Sequence, residues 1–443
     1  MIKVITYGTF DYLHYGHIRL LERAKALGDY LIVGITSDDY ERKRGKINVN
    51  QSLMERVEAI KRLGIADKII VEEYEGQKID DIKRYEVNIF TVGSDWVGYF
   101  DYLSEYCEVK YLERTEGISS SDIRTKKRNL HVGIVGSDPY LEKFYSESQY
   151  VNGLVIDAIY RDGQSNCLEE QEDIRTFADY DELLDNVDAV YVHSYPEAHY
   201  ELVKSALLKG KHVLCEAPIT INKEEYHDLK QTSERMGCIL MDSIRTAFST
   251  AYERLLLLLK SGIIGDVKFV DVTCTSLRNY ENKGDKKWNS ICAWGPNAML
   301  PIFQILGTDY IYKNAICKVS DDDELYDLFT KIDFVYSDAV ASIKVGQGVK
   351  AEGAMIISGT KGYIYVPAPW WKTDYFEVRF ENPENNRRYF YQLEGEGIRY
   401  ELVAFRNAII FNKKYDYIAP SISSEFISVI QDFYEKNNIY YIV

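Results

Sequence analysis

The 443-residue chain has no apolar run of bilayer length, and a crossing helix needs about 20 consecutive apolar residues. Its opening, MIKVITYGTF, lacks the basic, apolar and small-residue regions of a secretory leader. A cytoplasmic protein is the expectation. Seven cysteines are scattered without any C-x-x-C pair, which disfavours a zinc cage or disulfide framework and suits reduced core thiols. Positive charge is in deficit, with 53 Lys and Arg against 69 Asp and Glu, a net −16. This argues against a broad nucleic-acid-binding surface but leaves room for a local basic pocket holding a small anion. Internal repeats and low-complexity tracts are also missing. What is present is a globular composition, 46% hydrophobic and 28% charged, with 37 tyrosines that read as packing and surface residues. One core does not serve this length, so two or three domains are expected.

The order of elements gives the fold class. IKVITYG, YLIVGIT, KIIV, NIFTVG and EVKYL read as buried strands alternating with helices, the first of which begins near His17. That alternation predicts an α/β, doubly wound parallel-sheet domain of Rossmann-like form over residues 1–126. A basic, apolar-poor stretch, RTKKRNL, precedes a fresh strand-turn pattern at HVGIVGSD. Alternation resumes through GLVIDAIY, AVYVHSYP, HVLCEAP and CILMDS, a second Rossmann-like domain over 131–250. Long alternating strands such as VKFVDVTCTS and VASIKV then predict a large, mostly antiparallel open-sheet α+β domain over 251–443.

GTFDYLHYGH, residues 8–17, lies between the first strand and first helix, where a parallel sheet offers backbone N–H groups and a helix dipole to an anion. An H-x-G-H alone reads equally well as a glycine-containing turn. RTEGISSSDI follows the last strand with an arginine, a glycine and hydroxyls before a helix, again suited to phosphate. With KRGK, Lys78 and GSDWVGYFD between them, these segments resemble the glycerol-3-phosphate cytidylyltransferases, over about residues 1–124. The resemblance implies that Thr9, Phe10, His14, Tyr15, Gly16, His17 and Lys46 hold CTP. Arg114, Thr115, Glu116, Gly117, Ile118, Ser119, Ser120 and Ser121 do so from the other side. His14, His17, Lys46 and Arg114 are the implied catalytic residues, stabilising charge at the α-phosphorus and on leaving pyrophosphate, with Mg²⁺ carried by the CTP phosphates. Lys78 falls at an acceptor position, and Arg44 stands where the family has a second substrate lysine, with Lys43 beside it. The implied product is CDP-glycerol or a close CDP-polyol, which in the family feeds teichoic acid or capsule assembly.

The second half carries Pro196, His199, Gly210, His212, Glu216 and Pro218 within DAVYVHSYPEAHYELVKSALLKGKHVLCEAP, then KSGIIGDV and ISGTKGYIYV. This pattern resembles the Gfo/Idh/MocA oxidoreductases. Their chemistry is not retained. The lysine of the family's E-K-P motif is Ala217, and the helix motif that supplies Asp and His reads Ala293, Gly295, Asn297 and Leu300. Of G-x-G-x-x-G only Gly136 survives, with Asp138 and Leu141 at the other two positions. Methyl, isobutyl and amide groups are neither acids nor bases near pH 7. The expectation is therefore a cytidylyltransferase fused to a non-catalytic dehydrogenase-like region that does not use NAD(P). Its partners are small molecules rather than nucleic acid or membrane, and it forms a homo-oligomer, with a dimer favoured. Two alternatives stay open: a bifunctional enzyme whose second half reduces a keto precursor of the polyol phosphate, and a nucleotide-binding scaffold without turnover.

Overall fold

The computed structural model describes the whole chain except residues 12, 14, 38, 39, 41–48, 50, 52, 75, 114–128, 162–167, 169, 170, 172, 278–287, 322, 392, 411–416 and 443. It divides into two compact units, Met1–Asn129 and Leu130–Val443. Among the described residues no helix is long and apolar enough to cross a membrane, and the six described cysteines are free.

The first unit is a five-stranded parallel sheet of β1 (Lys3–Gly8), β2 (Tyr30–Thr36), β3 (Lys68–Glu72), β4 (Ile89–Gly93) and β5 (Glu108–Leu112), in the order β3-β2-β1-β4-β5. Consecutive residues of β1 serve opposite faces. Val4 packs with Leu21, Ala24 and Ile60 on one side, while Ile5 and Tyr7 pack with Ile82, Phe90 and Leu103 on the other. Coverage of both faces explains why these strands read as continuous apolar runs. Gly34 lies opposite Tyr7 in the β1–β2 register, and a Cβ there would fall 2.2 Å from the Tyr7 ring. The glycine makes room for the tyrosine.

The second unit opens with a six-stranded parallel sheet: β6 (Leu130–Val135), β7 (Leu154–Tyr160), β8 (Arg175–Phe177), β9 (Ala189–Val192), β10 (His212–Glu216) and β11 (Leu240–Ser243), ordered β11-β10-β9-β6-β7-β8. It continues into a nine-stranded sheet of β12 (Val267–Thr275), β13 (Tyr312–Val319), β14 (Asp327–Val335), β15 (Val340–Gly346), β16 (Met355–Gly359), β17 (Tyr363–Val366), β18 (Tyr375–Arg379), β19 (Arg387–Phe390) and β20 (Ile439–Tyr441). Neighbours in this sheet are antiparallel except for β12 with β15 and β13 with β20. The apolar helix Ser290–Leu306 packs on β12, β14 and β15. The last two long helices return to the Rossmann layer. Ile398, Leu402 and Phe405 complete its core on one face, Ile427 does so on the other, and Ser423 donates to Asp242 at 2.7 Å.

Candidate active site and the second Rossmann loop

In the first unit, the loop after β1 is shaped by packing. Phe10 is buried and holds a left-handed backbone, φ 53°, a conformation that costs a non-glycine residue energy and tends to persist where surrounding structure imposes it. A Cβ on Gly8 would come within 2.9 Å of the Phe10 ring. The ring meets His17 edge-to-face at 5.4 Å, which fixes the imidazole in the first turn of the helix Tyr15–Lys25. Arg56, fully buried, donates to the carbonyls of Thr9 at 2.8 Å, Thr36 at 2.9 Å and Gln51 at 3.1 Å. Its planar fork thus ties the β1 loop to the end of β2. From Thr36 the network continues, its hydroxyl donating to Glu72 at 3.0 Å, and Glu72 pairs with buried Lys78. The Lys78 ammonium lies 4.7 Å from the Tyr7 ring centre and 5.6 Å from that of Phe100. Tyr7 in turn donates to Asp81 at 2.8 Å; burial and the Asp81 charge push its phenol pKa upward.

In the second unit, the loop after β6 has the same place in the fold and different contents. Gly136 has φ 141°, and a Cβ there would sit 2.1 Å from the His193 carbonyl oxygen, so only glycine passes. Asp138 accepts from the Tyr140 N–H at 2.8 Å, capping the helix Tyr140–Ser148 with its own carboxylate. Leu141 is fully buried in the core. Behind the loop, the Tyr140 ring lies 5.2 Å from His193 and 4.8 Å from the Arg245 guanidinium. Glu216 accepts from Tyr191 at 2.8 Å and Ser243 at 3.3 Å, with His193 Nδ1 at 3.4 Å. Burial pushes the Glu216 carboxyl up, but His193 and the Arg245 charge carry it below the usual range. Glu401 is enclosed nearby with neither oxygen hydrogen-bonded; burial and the Glu216 charge push it up to about 8. Ala217 follows β10 and is buried. Asn297 accepts from Thr246 at 3.3 Å, Ala293 sits on the same helix, and Leu300 is fully buried.

The family profile described as cytidylyltransferase-like matches residues 5–126. A glycerol-3-phosphate cytidylyltransferase of Bacillus spizizenii is 47% identical over 130 residues, which is 29% of this chain and 100% of that protein. The chain belongs to the glycerol-3-phosphate cytidylyltransferase family. To that cytidylyltransferase unit is joined a Gfo/Idh/MocA domain: the profile described as oxidoreductase family, NAD-binding Rossmann fold, matches residues 130–243. A trans-1,2-dihydrobenzene-1,2-diol dehydrogenase of Xenopus tropicalis is 24% identical over 274 residues, 58% of this chain and 81% of its own. A 3-ketoreductase from Actinomadura kijaniata, solved with NADP and TDP-benzene, aligns with TM-score 0.63 at 16% identity, covering 71% of this chain and 100% of that one. At that identity the shared property is the fold.

Of the residues assigned to the cytidylyltransferase site, Thr9, Phe10, Tyr15, Gly16 and His17 lie together on the loop and helix after β1. Tyr15 is exposed there. Lys78 lies in the first turn of the helix after β3, inside its pair with Glu72. His14, Lys43, Arg44, Lys46 and the segment 114–121 lie outside the described residues. Arg56 was missed, and the signal available was an arginine among the apolar positions of its helix. On the helix Ser290–Leu306, Trp294 packs at a tilt against Trp371, ring centres 4.8 Å apart. Both His199 ring nitrogens lie 2.9 Å from carbonyl oxygens, those of Ser194 and Pro218, and burial lowers the ring's pKa to about 4. His199 is a structural brace.

Proposed function

We propose that the first unit transfers the cytidylyl group of CTP to glycerol 3-phosphate, giving CDP-glycerol and pyrophosphate for teichoic acid or capsule assembly. The reading rests on identity that runs the whole length of a named relative, and is supported by the braced loop that sets Thr9, Phe10 and His17 at the end of β1. An acceptor phosphate oxygen attacks the α-phosphorus in line, the α–β phosphoanhydride breaks, and pyrophosphate leaves. Because the nucleophile is already anionic, no general base is required, and the main barrier is the approach of like charges. His14 and His17 stabilise charge at the α-phosphorus. Lys46 and Arg114 stabilise pyrophosphate, and Mg²⁺ arrives as part of the nucleotide substrate. Lys78, with Arg44, meets the acceptor phosphate, and the Glu72 pairing orients the ammonium until then.

The second unit, whose domains we place at residues 131–250 and 251–443, is read as non-catalytic. NAD(P) does not fit the residues present. The Asp138 carboxylate already occupies the helix end where a pyrophosphate would bring like charge, and no acid or base stands at 217, 293, 297 or 300. Its role is assembly, with the open sheet joining two copies of a cytoplasmic enzyme. The test is pyrophosphate release from CTP by the full chain with glycerol 3-phosphate, phosphocholine or phosphoethanolamine as acceptor. Release dependent on glycerol 3-phosphate is expected; binding of CTP without release under any acceptor would leave a nucleotide-binding scaffold.

A further inference from the structure

The turn Glu394–Gly397 carries three successive left-handed residues, Gly395 at φ 56°, Glu396 at φ 52° and Gly397 at φ 90°. Both glycines are crowded: a Cβ at 395 would lie 2.1 Å from a Glu147 oxygen, and one at 397 would lie 3.3 Å from Arg245. This costly backbone delivers one side chain, Glu396, to a point where three cations from three separate elements converge. Lys143 of the helix Tyr140–Ser148 reaches one carboxylate oxygen at 2.6 Å, and Lys372 of the turn Trp370–Lys372 reaches the other at 2.7 Å. Arg245, after β11, approaches that second oxygen at 3.7 Å. Partial burial acts to raise the Glu396 carboxyl, and the two lysines hold it down to about 2.

Two further observations point to an anion larger than a carboxylate. The Tyr140 hydroxyl, beneath Arg245, is buried without a hydrogen-bond partner, so a donor is left over. The cluster is also reachable from solvent, since the Lys143, Lys372 and Glu396 side chains keep 42%, 36% and 32% of their exposure. The Arg245 charge is shared with the Glu216 carboxylate, but Lys143 and Lys372 still meet in Glu396 a single carboxylate, an excess of positive charge that a dianionic group would meet better than Glu396 does. We propose that Lys143, Arg245 and Lys372 form a binding site for a diphosphate group, occupied in this structure by Glu396, which the ligand displaces by swinging the Gly-Glu-Gly turn outward. The site is a regulated anion pocket rather than a dinucleotide site, because its cations surround Glu396 and not the helix end that Asp138 already caps.

The experiment is calorimetric titration of the full-length chain with inorganic pyrophosphate and, separately, with CDP. Glu396→Gln is expected to bind pyrophosphate at a second site at least tenfold more tightly than the parent. Lys143→Ala with Lys372→Ala, added to Glu396→Gln, removes that second site while leaving the one in the first unit. Tighter CDP than pyrophosphate binding identifies a nucleoside diphosphate as the ligand, and equal binding identifies the free anion. No second site in folded Glu396→Gln, or one indifferent to the lysine substitutions, overturns the proposal. Hydrogen exchange on the unaltered chain is an independent check. Residues 393–397 should exchange faster with saturating pyrophosphate, and unchanged protection means the turn is a permanent clamp.

Discussion

The loops after β1 and β6 have equivalent positions in two parallel sheets, each ending a central strand and each feeding a helix. Around the first, packing removes choice from the backbone. Gly8 admits the Phe10 ring, Phe10 sets His17, and Arg56 holds the Thr9 carbonyl. Around the second, the entrance is filled from within the chain. The Asp138 carboxylate accepts from the Tyr140 N–H, and the Tyr140 ring packs near both His193 and Arg245. A parallel sheet supplies a dipole and backbone N–H groups in both cases, and a side chain that claims them turns a ligand position into structure.

The contrast is broken most sharply at His17. Replacing it with alanine should lower kcat for cytidylyl transfer by about 10²–10³, the usual effect of losing one preorganised donor to developing charge, with the far-ultraviolet circular dichroism unchanged. Next in size is Arg56→Ala, which strands three carbonyls inside the first unit. It should cost about 3 kcal/mol in urea unfolding and raise KM for CTP, with the second unit's transition unmoved.

A third test concerns the filled crevice. The folded pKa of Glu401 lies near 8, above its ordinary 4.5, so the folded state holds a proton that the unfolded chain releases. The stabilisation is complete below the lower value and is lost as pH rises toward 8. Thermal melts of the second unit should therefore weaken from pH 5 to pH 8. Glu401→Gln should flatten that slope and be the more stable form at pH 8, by an amount on the order of a few kcal/mol. The smallest effect is expected from Asp138→Asn, which keeps the cap and should cost about 1 kcal/mol or less. Calorimetry with NADPH should show no binding before or after this substitution; micromolar binding by the parent would make the second half a reductase candidate.

Most of the strands were legible, many of them because buried parallel strands are continuous apolar runs. YLIVGIT and EVKYL coincide with β2 and β5. Strands β8, β13, β19 and β20 escaped notice: three are only three or four residues long, and β13 is broken by Lys313, Asn314 and Lys318. The helices Ile398–Ile410 and Pro420–Tyr434 are periodic, yet periodicity does not say which sheet they cover. The nucleotide loop was readable as a contiguous motif, and Gly136 as the glycine of a tight turn. The cluster of Tyr140, Arg245, Glu396 and Glu401 was not, because its members come from three distant segments and are united only by packing.

The return of those C-terminal helices to the Rossmann core has a consequence for how the protein is made. The cytidylyltransferase unit owns all of its core residues and can fold as soon as it leaves the ribosome. The sheet that begins at Leu130 must wait, its two faces unfinished, until Phe405 and Ile427 have been synthesised. During that interval the nascent chain presents an active-site domain already formed beside a long stretch of exposed apolar strand, which is where chaperones would be expected to engage it.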